Sequence, residues 1–339
     1  MLSITLIVPT CNMASFLEPL WKSVQDSGLS KTLESVLFVD DGSTDETPAV
    51  LARIQASGGA DREKVKVLRL EQNQGRFQAR LQGAKSCPSE RILFLDSRIL
   101  LPAGFGNALE KIAPLHRDIM GFVDIDPSRS VFSLYWERSH RALFGRHYRD
   151  GKEPFLLTPQ NFDEYLKGTG ILLCSREGFI RACSHFADDA LLSDDTYLMR
   201  QMVDEAPILA HPGLRIAWVP RESWKPFLAR LFERGPSFVE YHVFQRRSGP
   251  FFWVVLLGTL GTLAWLTFLA LDPARALILA AVASALAAFS VVGFTRRPSE
   301  VIRMMPLHLG VLVSFGAGIL YGLWVNSSAE RKAKWLKRD

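Results

Sequence analysis

The first 224 residues alternate short apolar runs with stretches whose apolar residues recur at helical spacing. Short segments at residues 4–9, 36–39, 65–70, 92–95, 171–174 and 216–219 read as strands, most of them continuous apolar runs. Their lack of polar alternation is what parallel strands covered on both faces require. Between them, Phe16, Leu17, Leu20 and Val24 share one helical face. Residues 44–55 open with acidic side chains and a proline, as a helix N-terminus does. This alternation predicts an α/β doubly wound sheet. Ligands of such sheets bind beyond the carboxyl ends of the strands.

Beyond residue 250 the pattern changes. Residues 251–271, 276–294 and 307–326 are long apolar runs without a charge, each about long enough to span a bilayer. Asp272, Pro273, Ala274 and Arg275 separate the first two, and Pro273 suits the first turn of a new helix, so a tight helical hairpin is expected. Arg246 and Arg247 precede the first run, and Arg296, Arg297 and Arg303 lie between the second and third. Such clusters mark the cytoplasmic side, so residues 1–246 are expected there. No secretory signal is read at the N-terminus. Three spans put the basic tail outside, against the charge rule. A re-entrant or interfacial third run, rich in glycine at 310, 316, 318 and 322, returns it to the cytoplasm. Gly318 and Gly322 form a GxxxG, expected to pack helices within the chain.

Residues 225–250 mix aromatics with Arg and Lys and read as an amphipathic interfacial segment or, equally, as helices packed on the catalytic domain. The expected organisation is a catalytic domain over 1–224, that segment over 225–250, a transmembrane region over 251–326 (spans near 251–271, 275–294 and 307–326) and a basic tail over 327–339.

The charge is distributed accordingly. The chain of 339 residues has a net charge of +5. From residue 247 onward there are ten Lys/Arg and four Asp/Glu, a net of +6, so the rest carries −1. The basic excess therefore speaks for anionic headgroups and against a nucleic-acid partner. Four cysteines, none in a CxxC, exclude a disulfide scaffold and a zinc knuckle. No histidine pair at i, i+4 suggests a zinc site.

Acidic groups recur where the strands end: Asp40 and Asp41 after the second, Asp96 after the fourth. Carboxylates gathered at one edge repel unless a cation or hydrogen-bond donors sit there. Ser43, Thr44 and Asp45 are equally well read as helix caps. Neither a GxGxxG nor a P-loop is present.

IVPTCN, FVDDGSTDET, NQGRFQARLQGAK and ILFLDSRILLP, followed by Gly168-Thr169-Gly170, LLSDDTYLMRQM and FLARLFERG, resemble family 2 glycosyltransferases of the GT-A fold, an α/β Rossmann-like mixed sheet. The resemblance covers roughly residues 2–240. With the C-terminal runs it is most similar to membrane-bound members that build bacterial exopolysaccharides, of succinoglycan type. It implies inverting transfer of a sugar from a nucleotide-diphosphate sugar to a lipid-linked acceptor. It also implies a multi-pass protein of the bacterial inner membrane with its catalytic domain cytoplasmic. Pro9, Thr10, Asn12, Asp40, Asp41, Arg76, Asp96 and Arg98 are the implied nucleotide-sugar residues. Arg230 and Arg234 match positions that approach the diphosphate or acceptor. Asp195 falls on the catalytic base, with Asp194 before it. Asp96 is the implied ligand of Mg2+ or Mn2+.

The DxD motif reads Asp96-Ser97-Arg98, so a cation replaces the second metal carboxylate. Arg98 could supply charge to the diphosphate or pair with Asp96. Leu81 stands where the family often has Asn, and QxxRW of processive synthases is absent. Asp195 opens a helix-like stretch, where the macrodipole favours its ionised form; capping is the alternative use. Residues 132–147 read as a surface helix, or as a contact for an anionic acceptor. Two competing functions are transfer to polyprenyl phosphate itself and a non-catalytic membrane scaffold.

Overall fold

The computed structural model describes residues 3–57, 59–186, 195–245 and 250–327. The chain divides into two units: Met1–Asp126 with Leu143–Pro220, and Pro127–Ala142 with Arg221–Asp339.

In the first unit the described strands are β1 (Ile4–Thr10), β2 (Ser35–Asp41), β3 (Val65–Leu70), β4 (Arg91–Leu95), β5 (Ile99–Leu100), β6 (Ile119–Asp124), β7 (Phe155–Leu157), β8 (Ile171–Ser175) and β9 (Ile208–Trp218). They form one sheet in the order β3-β2-β1-β4-β8-β6-β9-β5, with β7 on β9. The β3-β2-β1-β4 half is parallel. β8 runs antiparallel to both β4 and β6, which makes the sheet mixed. The helices are α1 (Ala14–Asp26), α2 (Leu29–Thr32), α3 (Thr47–Ser57), α4 (Arg76–Ser86), α5 (Phe105–Ile112), α7 (Gly145–Asp150), α8 (Arg176–Ser184) and α9 (Asp195–Glu205); α6 (Val131–Leu143) lies between α5 and α7 in the chain.

One face of the sheet, with Leu6, Val8, Phe38 and Leu93, packs on Leu17, Leu20 and Val24 of α1, Val50, Leu51 and Ile54 of α3, and Phe105 and Leu109 of α5. Such fully apolar strands need cover on the other face too. α4 supplies part of it: a Cβ at Gly83 would lie 2.7 Å from the Ile7 side chain, so this helix sits directly on β1. The expected GT-A-like mixed α/β sheet is thus the observed one.

The strands read at 4–9, 36–39, 65–70, 92–95 and 171–174 are β1 to β4 and β8. The segment at 216–219 is only the end of β9, whose earlier part carries His211, Pro212, Gly213 and Arg215 and so lacks a continuous apolar signal. β6 escaped notice because Gly121, a weak strand residue, interrupts it where its register on β9 shifts.

The second unit consists of α6 and the C-terminal helices α10 (Trp224–Val239), α11 (Pro250–Leu271), α12 (Pro273–Phe289) and α13 (Pro298–Asn326). Its core joins Phe132, Leu134 and Tyr135 of α6 to Phe227 and Leu231 of α10, and to Met304, Leu307 and Val311 of α13. α6 is therefore not the surface helix expected within 132–147; its aromatics fill the core of this unit. α11 and α12 form the expected hairpin. Asp272 accepts from the Arg275 amide at 3.1 Å, capping α12 ahead of Pro273. Among the described residues, Pro273–Gly293 and Pro298–Asn326 are long and apolar enough to cross a membrane, and Val255–Leu271 is a shorter apolar helix.

Candidate active site

The parallel pairing of β1 with β2 and β4 brings their carboxyl ends to one edge. The antiparallel β8 contributes its beginning there: the Asp96 amide donates to the Gly170 carbonyl at 3.2 Å. Gly168-Thr169-Gly170 thus joins the loops after β1, β2 and β4.

The first two loops are tied together by Asn12, whose left-handed φ of 54° asparagine tolerates. Its Oδ1 accepts from the Thr44 amide at 2.9 Å, and its own amide donates to Ser43 Oγ at 2.9 Å. Thr10 is buried at the end of β1, beside half-buried Pro9. Asp40 Oδ1 accepts from the Ser43 amide at 3.1 Å, and Asp45 Oδ1 accepts from the Thr47 amide at 2.8 Å. That bond starts α3 at Thr47, later than the sequence suggests. Asp41 Oδ1 accepts from the Gln74 amide at 2.7 Å, binding the β2 loop to the turn before α4. Gly42 allows this: with φ at 64°, a Cβ there would meet the Asn73 nitrogen at 2.5 Å. Burial raises the Asp41 carboxyl above its ordinary value; the Gln74 and Gly75 amides oppose this and nearby Asp40 adds to it.

The centre of the edge is Arg80, a residue the sequence did not single out. It projects from α4, one turn after Arg76, and is 2% exposed. Its Nη2 donates to Asp96 Oδ1 at 3.1 Å and its Nη1 to Asp195 Oδ1 at 2.8 Å. One guanidinium therefore holds the two carboxylates assigned to metal binding and base catalysis. The available signal was a second arginine at i, i+4 from Arg76, on a helix that covers a sheet. Asp195 Oδ2 also accepts from the Thr169 amide at 3.2 Å. Burial by itself would raise the Asp195 carboxyl, but Arg80, Arg76 and the Thr169 hydrogen bonds outweigh it and hold it well below the usual carboxylate range. Asp195 begins α9, as expected. Asp194 lies outside the described residues.

Arg98 is placed differently from Arg80. Its Nη1 donates to the Val219 carbonyl at 3.1 Å and its guanidinium lies 5.0 Å from the Trp218 ring centroid, so it fastens the end of β9. The ion pair of Asp96 runs to Arg80. Arg230 and Arg234 belong to the second unit. Arg230 pairs with Glu233 at 2.9 Å, and Arg234 lies over Trp136 of α6 at 5.0 Å.

The residues at this edge suit one divalent ion with few protein ligands. Asp96 gives Oδ1 to Arg80. Its Oδ2 faces the bare backbone of Gly170, where a Cβ would come within 3.5 Å. One carboxylate oxygen together with substrate phosphates is an ordinary set for Mg2+. Among the described residues no group of three His, Cys, Asp or Glu gathers for an all-protein metal site.

Part of this edge falls inside a recognised family segment: the description "Glycosyl transferase family 2" matches residues 5–154, which hold Asn12, Asp40, Asp41, Arg80 and Asp96, while Thr169 and Asp195 lie beyond it. Over residues 5–154, fewer than half of the chain, the protein is similar to family 2 glycosyltransferases. In solved structures, the glycosyltransferase resembles a mannosyltransferase from Pyrobaculum calidifontis, PcManGT, determined with GDP-Man and Mn2+. The TM-score is 0.60 at 18% identity, over 96% of this chain and 88% of that one. Two other structures share the same identity of 18%. GalNAc-T7 with UDP, GalNAc and Mn2+ has a TM-score of 0.48 over 65% of this chain and 44% of that one. TarS of S. aureus has a TM-score of 0.46 over 70% and 40%. None of the curated proteins matches the sequence.

Proposed function

We propose that the glycosyltransferase moves a sugar, with inversion, from a nucleotide-diphosphate sugar to a lipid-linked saccharide at the cytoplasmic face of a bacterial inner membrane. The observation that carries the reading is the Asp96–Arg80–Asp195 bridge at the carboxyl edge of the sheet. The nucleotide-sugar donor is also supported by the fold shared with a mannosyltransferase solved with GDP-Man. The apolar helices support a membrane-held acceptor.

In this mechanism the loops after β1 and β2 hold the nucleoside. Asn12 and Gly42 fix those loops, and Pro9, Thr10, Asp40 and Asp41 line the site; Arg76 serves the donor phosphates, while Arg98 fastens the end of β9. Asp195 accepts the proton of the acceptor hydroxyl. In the field of Arg80 it is a weak base, so the proton reaches it only as the acceptor oxygen bonds to the anomeric carbon and loses basicity. Arg80 keeps Asp195 ionised and aimed. Asp96 would hold a Mg2+ or Mn2+ together with the donor diphosphate, where the ion neutralises charge on the leaving group. A single displacement by one base inverts the anomeric centre.

The test is a screen of nucleotide sugars with native membranes containing the protein. Label passing from one donor to an extended lipid-diphosphate saccharide supports the reading. A lipid monophosphate sugar as product identifies transfer to polyprenyl phosphate instead, and donor binding without turnover identifies a scaffold.

A further inference from the structure

The long C-terminal helices meet their surroundings in two different ways. α11 and α12 are apolar on every side: Trp253, Leu257, Leu260, Leu263, Leu277, Ile278 and Leu286 are exposed around them. α13 is two-faced. Ile302, Leu309, Val313, Leu320 and Trp324 are exposed and recur at spacings of 7, 4, 7 and 4, which is one helical stripe. The opposite face, Met304, Leu307, Val311, Gly318 and Gly322, is buried.

α10 covers much of that buried face. A Cβ on Gly310 would touch Leu228, and Ser314 Oγ donates to the Leu228 carbonyl at 2.7 Å. A Cβ on Gly318 would collide with the Phe232 carbonyl oxygen, and one on Gly322 would lie 2.7 Å from Pro236 Cα. Asn326 Nδ2 donates to the Pro236 carbonyl at 3.3 Å. The contacts advance in the same order along both chains, so the helices run parallel from residue 310 to 326, about 24 Å at 1.5 Å per residue. The GxxxG at Gly318 and Gly322 is used within the chain, as the sequence suggested.

This pairing bears on how α13 meets a bilayer. Arg230, Glu233 and Arg234 lie between Leu228 and Pro236, opposite the middle of the third apolar run. Were α13 to cross, these charges would travel with it to hydrocarbon depth, at roughly 2.5–3.5 kcal/mol each for the basic ones on insertion scales. The other half of α13 is bound to a charged helix as well. Arg138 of α6 donates twice to Glu300 at 2.8 Å and also pairs with Glu137, and Tyr135 shares a 2.8 Å hydrogen bond with His308. A spanning α13 would require lipid where two charged helices already sit.

We propose that α13 and α10 lie together in the plane of the membrane. The stripe from Ile302 to Trp324 sinks into the acyl boundary, as an amphipathic helix does, and the α11–α12 hairpin alone crosses. Two crossings return residues 327–339 to the side from which the chain enters α11. The basic residues at 246–247, 296–297, 303 and 331–338 then share one side, as the charge rule asks. The inference rests on the membrane-bound reading above.

The experiment uses the full chain in sealed vesicles of known orientation, with epitope tags at both termini. Both tags are expected to be digested by protease from the same side. Tags digested from opposite sides overturn the proposal. Spin labels at V313C and W324C, both exposed positions, provide a second readout. Similar shallow depths are expected; a midplane depth at 313 with a surface depth at 324 overturns it. Release of the protein by alkaline carbonate would sink the membrane reading and this inference together. Retention with opposed tags would sink only the inference.

Discussion

Arg80 is 2% exposed between two carboxylates, and without its charge Asp96 and Asp195 would face each other across a half-buried edge. Removing one partner of a buried ion pair costs about 3–5 kcal/mol, because the remaining charge is left uncompensated. Arg80→Ala is therefore expected to lower transfer by at least about 100-fold. It should also raise the acid limb of kcat/KM, because Arg80 is the leading cause of the low Asp195 pKa. In the wild-type protein Asp195 stays ionised from pH 5 to 8 and adds no titration there. Arg80→Lys should recover little, since a point charge cannot hold two carboxylates as a planar fork does. An Arg80→Ala enzyme with an unchanged pH profile would contradict this role.

His147 allows an independent test away from the edge. It is 5% exposed and packed on Phe122, and burial, with Arg215 and Lys167 nearby, lowers its pKa to about 4. The unfolded chain binds a proton below about 6.5 and the folded one only near 4, so stability falls as pH drops through that window. Between pH 7 and 5 the loss is about 2 kcal/mol. Thermal melts of the detergent-solubilised protein should show it, and His147→Phe should remove it. Equal pH dependence in both proteins would refute the assignment.

At the scale of elements, the pairing of α10 with α13 depends on bare backbone. Gly318→Leu places side-chain atoms against the Phe232 carbonyl and is expected to cost roughly 1–3 kcal/mol or to separate the helices. Gly316→Ala on the same helix meets nothing within 4 Å and should be silent. Melting temperatures of the two variants in detergent check this; equal values would refute the packing.

Elements made by local pattern were the ones legible in the sequence. β1, β2 and β4 read directly as apolar runs, and the hairpin read from Asp272 and Pro273. What escaped depends on distant partners. α6 looks like a surface helix until Phe132 and Tyr135 meet Phe227 and Leu307, nearly one hundred or more residues away. Arg80 is unremarkable on α4 until the fold brings up Asp195, 115 residues later. Arg98, by contrast, drew attention by standing inside a DxD-like motif, yet its described bonds fasten β9.

For the whole molecule, the glycosyltransferase joins an acidic α/β unit, net −5, to a basic helical one, net +10. Asp96, with one oxygen on Arg80 and one facing Gly170, supports metal-assisted departure of the diphosphate. Chelation is expected to reduce transfer at least about 100-fold, with Mn2+ or Mg2+ restoring it; full activity in excess chelator would place that charge on arginine alone. The most direct measurement of the central claim is sugar transfer by Asp195→Asn in native membranes, alongside calorimetric binding of the donor nucleotide. Loss of transfer by about 100-fold or more with binding retained is the predicted result. Transfer near the wild-type rate would contradict the account.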